Sequence, residues 1–303
     1  MRPFVFVSLI LLAILNACTA TTIRAPAAPA APPSRMVQTD DLATVVDAAL
    51  DFADTLGTDA VLVVFDIDNT LLAMEQDLGS DQWWEWQRDL EKTAPCAPER
   101  VAEPLAVQGA LYYASAMRPT QDDAAAQLGR LQQAGLRTLA LTSRGPGFRL
   151  QTFRELRRHG FDFGSHTIGP DGGYPDDFLP PSGIRDARLE DGVFLTAGQH
   201  KGDMLADLLE LTDTPEPAVI VMADDKEKNL QHVLDRFAGT GVSIQAYRYG
   251  REDATVEAFD PAEAARQWES VNDALRRLQE VFGPDHLELP ASDLPPGCPA
   301  PAG

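Results

Sequence analysis

Residues 61–72 read VLVVFDIDNTLL, an apolar run followed at once by two aspartates and a threonine at alternate positions. Uninterrupted apolar sequence of this length, mostly β-branched, suits a strand buried on both faces, as in a parallel sheet. In extended backbone, residues i and i+2 point to the same side. Asp66 and Asp68 therefore leave the strand together at its carboxyl end, where open α/β sheets place their ligand sites. A lone aspartate there would cap the next element. Two carboxylates with Thr70 behind them point to a reaction centre.

The flanking sequence alternates between strand and helix patterns. Asp40 or Asp41 caps a helix with Leu42, Val45, Val46, Ala49, Leu50 and Phe52 on one stripe. Residues 73–117 hold no clean strand but contain Trp83, Trp84 and Trp86, and predict a mostly helical cap insert. Its tryptophans either form the insert's own core or wall a substrate. A helix over 120–135, capped by Thr120, leads to a second buried strand at 137–141, which ends in Thr142-Ser143-Arg144-Gly145. A helix over 148–159 precedes an irregular Gly/Pro-rich stretch, 164–191, and a short strand or hairpin arm at 192–195. Lys201 opens a helix with Met204, Leu205, Leu208 and Leu209 on its apolar side. A third strand, 218–222, ends in Ala223-Asp224-Asp225; a helix, a fourth strand at 242–247 and a long helix over 261–282 complete the pattern. Strands alternating with helices mean βαβ units. The expected fold is a Rossmann-like three-layer α/β sandwich with a mainly parallel central sheet and a small helical cap after strand one.

Charge narrows the partners. Lys and Arg number 25 against 46 Asp and Glu, a formal net charge of -21. That argues against a nucleic-acid backbone as main partner, because phosphate binding there needs clustered cations. A small phosphorylated substrate needs only one local positive pocket. No obligate protein partner is indicated.

Arg2 and the apolar run from Phe4 to Leu15 form a targeting segment too short to span a bilayer. Ending in Leu15-Asn16-Ala17-Cys18, residues 1–18 resemble a bacterial lipoprotein signal, which implies lipidation of Cys18 and a lipid anchor to the membrane. An ordinary cleaved signal peptide is the alternative; either way the chain is exported to the periplasmic side. Thr19 after the cysteine implies, by the same resemblance, the outer membrane. Residues 19–39 are an Ala/Pro-rich tether, 40–285 the folded domain and 286–303 a Pro-rich tail. An oxidising compartment would permit a bridge between Cys96 and Cys298, although sequence leaves their proximity open.

In chain order, the polar groups at the strand ends and helix start are Asp66, Asp68 and Thr70, then Thr142, Lys201, and Asp224 with Asp225. This inventory suits phosphoryl transfer. One carboxylate attacks phosphorus and a second moves protons. Hard oxygen ligands hold Mg²⁺, while a lysine and a hydroxyl orient the phosphate oxygens. FDIDNT, the Thr of LTSRG, the Lys of QHKGDML and MADD resemble the four motifs of the haloacid-dehalogenase-like (HAD) superfamily, in its aspartate-nucleophile phosphatase branch. The resemblance covers 61–247 and is nearest to secreted proteins of that superfamily whose function is uncharacterised. It implies Asp66 as nucleophile and Mg²⁺ ligand. Asp68 would be general acid/base, with its backbone carbonyl on the metal. Thr142 and Lys201 would hold the transferring phosphoryl group, and Asp224 with Asp225 would complete the metal site. Ser143 and Arg144 would join Thr142 and Lys201 in substrate binding. Asp68 favours phosphatase over C–halogen chemistry. Two positions depart from the superfamily's secreted acid phosphatases: Ala223 replaces a glycine, and Lys228 and Asn229 stand near the place of a further acid. Arg144, His200, Lys226 and Lys228 would enrich the pocket rim in positive charge, whereas His166 and His232 lack metal-pair spacing. The expected activity is an exported Mg²⁺-dependent phosphomonoesterase working through phospho-Asp66. Phosphotransfer by the same residues, and a non-catalytic surface lipoprotein using the fold as a scaffold, are the alternatives.

Overall fold

Three apolar runs are long enough to be buried on both faces, and they lie side by side at the centre of one sheet. The computed structural model describes residues 31–283 and Cys298; the expected signal segment and Cys18 lie outside the described residues, as does most of the tether and tail. In chain order the elements are β1 (Arg35–Thr39), α1 (Leu42–Leu56), β2 (Val61–Phe65), β3 (Leu72–Met74), α2 (Asp81–Thr93), α3 (Pro104–Ala114), β4 (Met117–Pro119), α4 (Ala124–Gln133), β5 (Arg137–Thr142) and α5 (Arg149–Arg158). There follow β6 (Arg188–Glu190), β7 (Val193–Leu195), α6 (Lys201–Leu211), β8 (Val219–Asp224), α7 (Glu227–Phe237), β9 (Ser243–Tyr249), α8 (Asp253–Glu257) and α9 (Pro261–Phe282).

The sheet has seven strands in the order β1-β9-β8-β2-β5-β7-β6, parallel throughout except for the terminal β6–β7 hairpin. Alternate side chains of β2 enter two cores. Val61, Val63 and Phe65 pack with α1, α4 and α5, while Leu62 and Val64 pack with α6 and α7. Helices on both faces make the three-layer α/β sandwich that the sequence pattern predicts. Register then fixes the site. Phe65 pairs with Ala140 on one side and Ala223 on the other, so Asp66, Thr142 and Asp224 emerge at nearly one level.

Three expectations need correction. The segment assigned to the tether includes β1, an edge strand running parallel to β9. Its sequence, RMVQT, lacks an apolar run because no position of this edge strand is fully buried. The insert does contain strand. β3 and β4 pair antiparallel as a two-stranded arm, on which α2 and α3 stand. Thr120 does not cap α4, which starts at Ala124 after Asp123. Its hydroxyl donates instead to the Thr70 carbonyl at 2.6 Å, tying the insert's exit to the loop after β2. The long helix expected over 261–282 is α9, and it lies on the insert. Its Ala264, Trp268 and Val271 pack with Leu78, Trp83, Trp86, Val101, Val107 and Leu111 of the insert. Trp83 is thus core of the insert, not wall of a substrate pocket, and Trp86 leans on Phe259 with ring centroids 6.0 Å apart. Cys96, between α2 and α3, is disulfide-bonded to Cys298 with Cα atoms 5.3 Å apart. Among the described residues no helix is long and apolar enough to cross a membrane.

Candidate functional site

Asp66 follows β2 directly, and its backbone N–H still belongs to the sheet, donating to the Ala223 carbonyl at 2.9 Å. The side chain is therefore rigidly aimed. Lys201, first residue of α6, reaches it from below. Its Nζ lies 2.7 Å from Asp66 Oδ1 and 2.6 Å from Asp224 Oδ2, with all three groups almost wholly buried. Close approach of α6 to α7 makes that reach possible. A Cβ on Gly202 would collide with the His232 carbonyl, so only glycine serves beside Lys201.

Asp224 is held on its other sides by the Lys226 backbone N–H at 2.8 Å and by Asn229 Nδ2 at 3.0 Å. Asn229, which the sequence comparison of motifs marked only as a departure, thus orients the carboxylate. Thr70 accepts from the Asp225 backbone N–H at 3.0 Å and locks the loop after β2 to the loop after β8. Asp225 Oδ1 is buried with no hydrogen-bond partner. An orphaned buried carboxylate oxygen is costly and calls for a ligand. Asp66, Asp224 and Asp225 bring ligand oxygens within 4.8 Å of one another, a set that could hold a metal ion. Charge agrees. With every carboxyl ionised, Asp66, Asp68, Asp81, Asp224 and Asp225 would outnumber Arg144, Lys201 and Lys226 by two. All-oxygen donors with that excess fit a hard divalent cation.

The electrostatic consequences are marked. Burial pushes Asp66 up to about 7, partly opposed by Lys201 and reinforced by Asp224 and Asp68. Asp225 is raised well above the carboxylate range by burial, then by Asp224, Asp66 and Asp81. Asp68 goes the other way. Burial would raise it, but Arg144's charge and hydrogen bonds, with Tyr112, hold it below the ordinary value.

Arg144 is the main departure from the expected site. It does not stand on the rim but is buried, gripping Asp68 through Nε to Oδ2 at 2.9 Å and Nη2 to Oδ1 at 2.8 Å. Thr152 Oγ1 at 3.0 Å and the Tyr112 ring, 4.7 Å from the guanidinium carbon, fix its other edges. Tyr112, carried in from the insert on α3, also donates to Asp68 Oδ1 at 3.1 Å. No motif marks it, since its partner lies 44 residues away in sequence. Asp68's carboxylate consequently stands outside the cluster of three; the role the resemblance implied on the metal was for its backbone carbonyl.

Thr142 is fully buried, and its Oγ1 accepts from the Arg144 N–H at 3.2 Å, while Ser143 is exposed. Lys226 is not a free rim cation either. It reaches Asp81 at 2.6 Å and also pairs with Glu85, both on α2, so the insert is latched to the loop after β8. Lys228 stays exposed on α7. His200 caps α6 and stacks on His232, with ring centroids 3.8 Å apart, and neither joins the carboxylate cluster.

A family model described as a protein of unknown function, DUF2608, matches residues 38–280. The chain belongs to the DUF2608 family. No curated protein and no solved structure matches it. The DUF2608 match takes in every residue of the carboxylate cluster, the insert and most of α9, and stops short of Cys298.

Proposed function

We propose that this DUF2608 protein is a Mg²⁺-dependent phosphomonoesterase of the HAD-like type, acting through a phosphoryl group carried on Asp66. The observation that carries the reading is Lys201 Nζ bridging Asp66 and Asp224 beside the partnerless oxygen of Asp225. Asp66, Asp224 and Asp225 would hold the cation, whose charge would offset repulsion between carboxylate and phosphate. An Asp66 oxygen forms a bond to phosphorus as the ester P–O bond breaks, and the leaving oxygen takes a proton from solvent water. Water then attacks phosphorus, gives its proton to Asp68, and frees Asp66 and phosphate. Lys201 balances charge on Asp66 throughout, and the Thr142 hydroxyl would orient a phosphate oxygen. Arg144 keeps Asp68 ionised, which suits the base role in the second half. Departure of poor leaving groups becomes the harder half.

The same residues would serve phosphotransfer to an alcohol; adding polyols and looking for new phosphoesters separates the two. A scaffold role is disfavoured by energetics, since burying Lys201 between two acids is weak evidence for stability and needs another reason to persist. The export signal read in residues 1–18 and the Cys96–Cys298 bridge support a periplasmic, lipid-anchored protein, because such bridges persist in oxidising compartments.

The test is phosphate release from a panel of phosphomonoesters with Mg²⁺, with EDTA and with Asp66→Asn. We expect release that EDTA abolishes and that falls by at least about 10³-fold in the variant. Activity undiminished in folded Asp66→Asn would refute the mechanism.

A further inference from the structure

Every cation at the carboxylate cluster is already neutralised. Lys201 is held by Asp66 and Asp224, Arg144 by Asp68, and Lys226 by Asp81 and Glu85. Arg185 is different. It lies in the irregular segment between α5 and β6, which the sequence reading left without a role. Its backbone is fixed from both sides by one buried side chain: Gln199 Oε1 accepts from the Arg185 N–H at 3.1 Å, and Gln199 Nε2 donates to the Arg185 carbonyl at 2.9 Å. Gln199 also receives the Ile184 N–H at 2.7 Å. Its guanidinium, by contrast, is exposed and has no acidic partner among the described residues.

That guanidinium lies beside the loop that follows β5. A Cβ placed on Gly198 would lie 3.9 Å from Arg185 Nη2 and 4.0 Å from the Ser143 carbonyl oxygen. Gly198 has a left-handed φ of 70° and carries no side chain into this space. The two loops that meet here are stitched together. The Thr196 N–H donates to the Thr142 carbonyl at 3.0 Å, and the Ala197 N–H to the Arg144 carbonyl at 3.0 Å. Ser143 immediately follows Thr142, and Gly198 is three residues before Lys201, hence no more than about 11 Å from it along the backbone. A chain of net charge -21 repels anions in general, so an unpaired arginine held at this place must act locally.

We infer that Arg185, at the edge of the loop that follows β5, forms a recognition subsite for a second anionic group on the substrate. The preferred substrates are then phosphomonoesters with a carboxylate or second phosphate at the far end of a short polyol or sugar chain. Arginine suits this because its fork donates two parallel hydrogen bonds to a carboxylate or phosphate. The inference rests on the phosphatase reading for the position of the first phosphate.

A pair of ligands differing only at the far end tests it: gluconate phosphorylated on its terminal hydroxyl, and the matching glucitol phosphate with a hydroxymethyl in place of the carboxylate. Their dissociation constants are measured by calorimetry in Mg²⁺ on full-length Asp66→Asn protein, which cannot turn them over, with and without Arg185→Ala. We expect the carboxylate ligand to bind about tenfold tighter, the size of a charged hydrogen-bonded contact. Arg185→Ala should bring the ratio near one, and Arg185→Lys should keep part of it. A ratio near one before Arg185 is changed, a ratio unchanged by Arg185→Ala, or no binding of either ligand overturns the subsite. Hydrolysis of nitrophenyl phosphate by the wild-type chain, lost in Asp66→Asn, shows separately whether the phosphatase reading stands.

Discussion

Asp66 is the residue most altered by its surroundings. Burial drives its pKa to about 7 from an ordinary 3.8, although Lys201 sits against it. A carboxyl that holds its proton more tightly folded than unfolded contributes stability at low pH. That contribution is lost as pH rises from about 4 through about 7, because the ionised form is penalised only in the folded chain. A cation on Asp66, Asp224 and Asp225 would relieve the penalty, so the metal should matter more where the carboxylate is ionised. Melting temperatures with and without Mg²⁺ are therefore expected to differ more at pH 8 than at pH 5.5. Equal shifts at both would mean that the cation, if bound, does not bind at Asp66. Asp68, two residues on, has the opposite fate because Arg144 grips it. One strand end thus carries one carboxyl poised near neutrality and one held ionised.

The β3–β4 arm sets where the insert stands, and three separate contacts fix it. The Met117 N–H donates to buried Glu155 of α5 at 2.9 Å, Thr120 holds the Thr70 carbonyl, and Arg118 forks onto Glu252 with two bonds of 2.7 Å. Glu252 is nearly buried and Arg118 about a third exposed, so the pair lies between the surface and interior cases. Glu252→Ala is expected to cost about 1–3 kcal/mol. Hydrogen exchange should rise at the amides of β3 and β4 and stay unchanged in β2 and β5. Protection lost evenly across the sheet would mean that the ion pair supports the whole fold and not the arm. The same elements show what sequence could reveal. β2, β5 and β8 are uninterrupted apolar runs and were legible, as were the motif residues at their ends and the start of α6. β1, β3 and β4 are short, β1 and β4 are partly polar, and all three owe their extended form to neighbours far along the chain. Tyr112 and Arg144 were illegible as partners of Asp68 for the same reason: contact over 44 and 76 residues leaves no local pattern.

For the whole molecule, the disulfide adds a covalent link between parts that otherwise meet through packing and the Leu78 N–H donating to Gln267 Oε1 at 2.9 Å. Cys96 lies between the insert's two helices and Cys298 in the tail beyond α9, 202 residues apart. Because α9 itself packs on the insert, the bridge reinforces an existing contact and leaves the sheet untouched. That contact is tied to the candidate site, since α2 carries Asp81 and Glu85 to Lys226, the residue after Asp225. Removing a bridge across so long a loop costs about 2–5 kcal/mol by the usual accounting of unfolded-chain entropy. Cys96→Ser with Cys298→Ser is expected to lower the urea midpoint accordingly, with early protease cleavage in α2, α3 and α9 while the sheet stays protected. Loosening the insert should also weaken the Lys226 latch, raising KM for phosphomonoesters more than it lowers kcat, because Asp66 and Lys201 are held by the sheet and α6 alone. A double variant with wild-type stability and KM would show that packing of Trp83, Trp86 and Trp268 suffices to seat the insert. A fall in kcat with KM unchanged would mean that the latch acts on the reacting groups themselves.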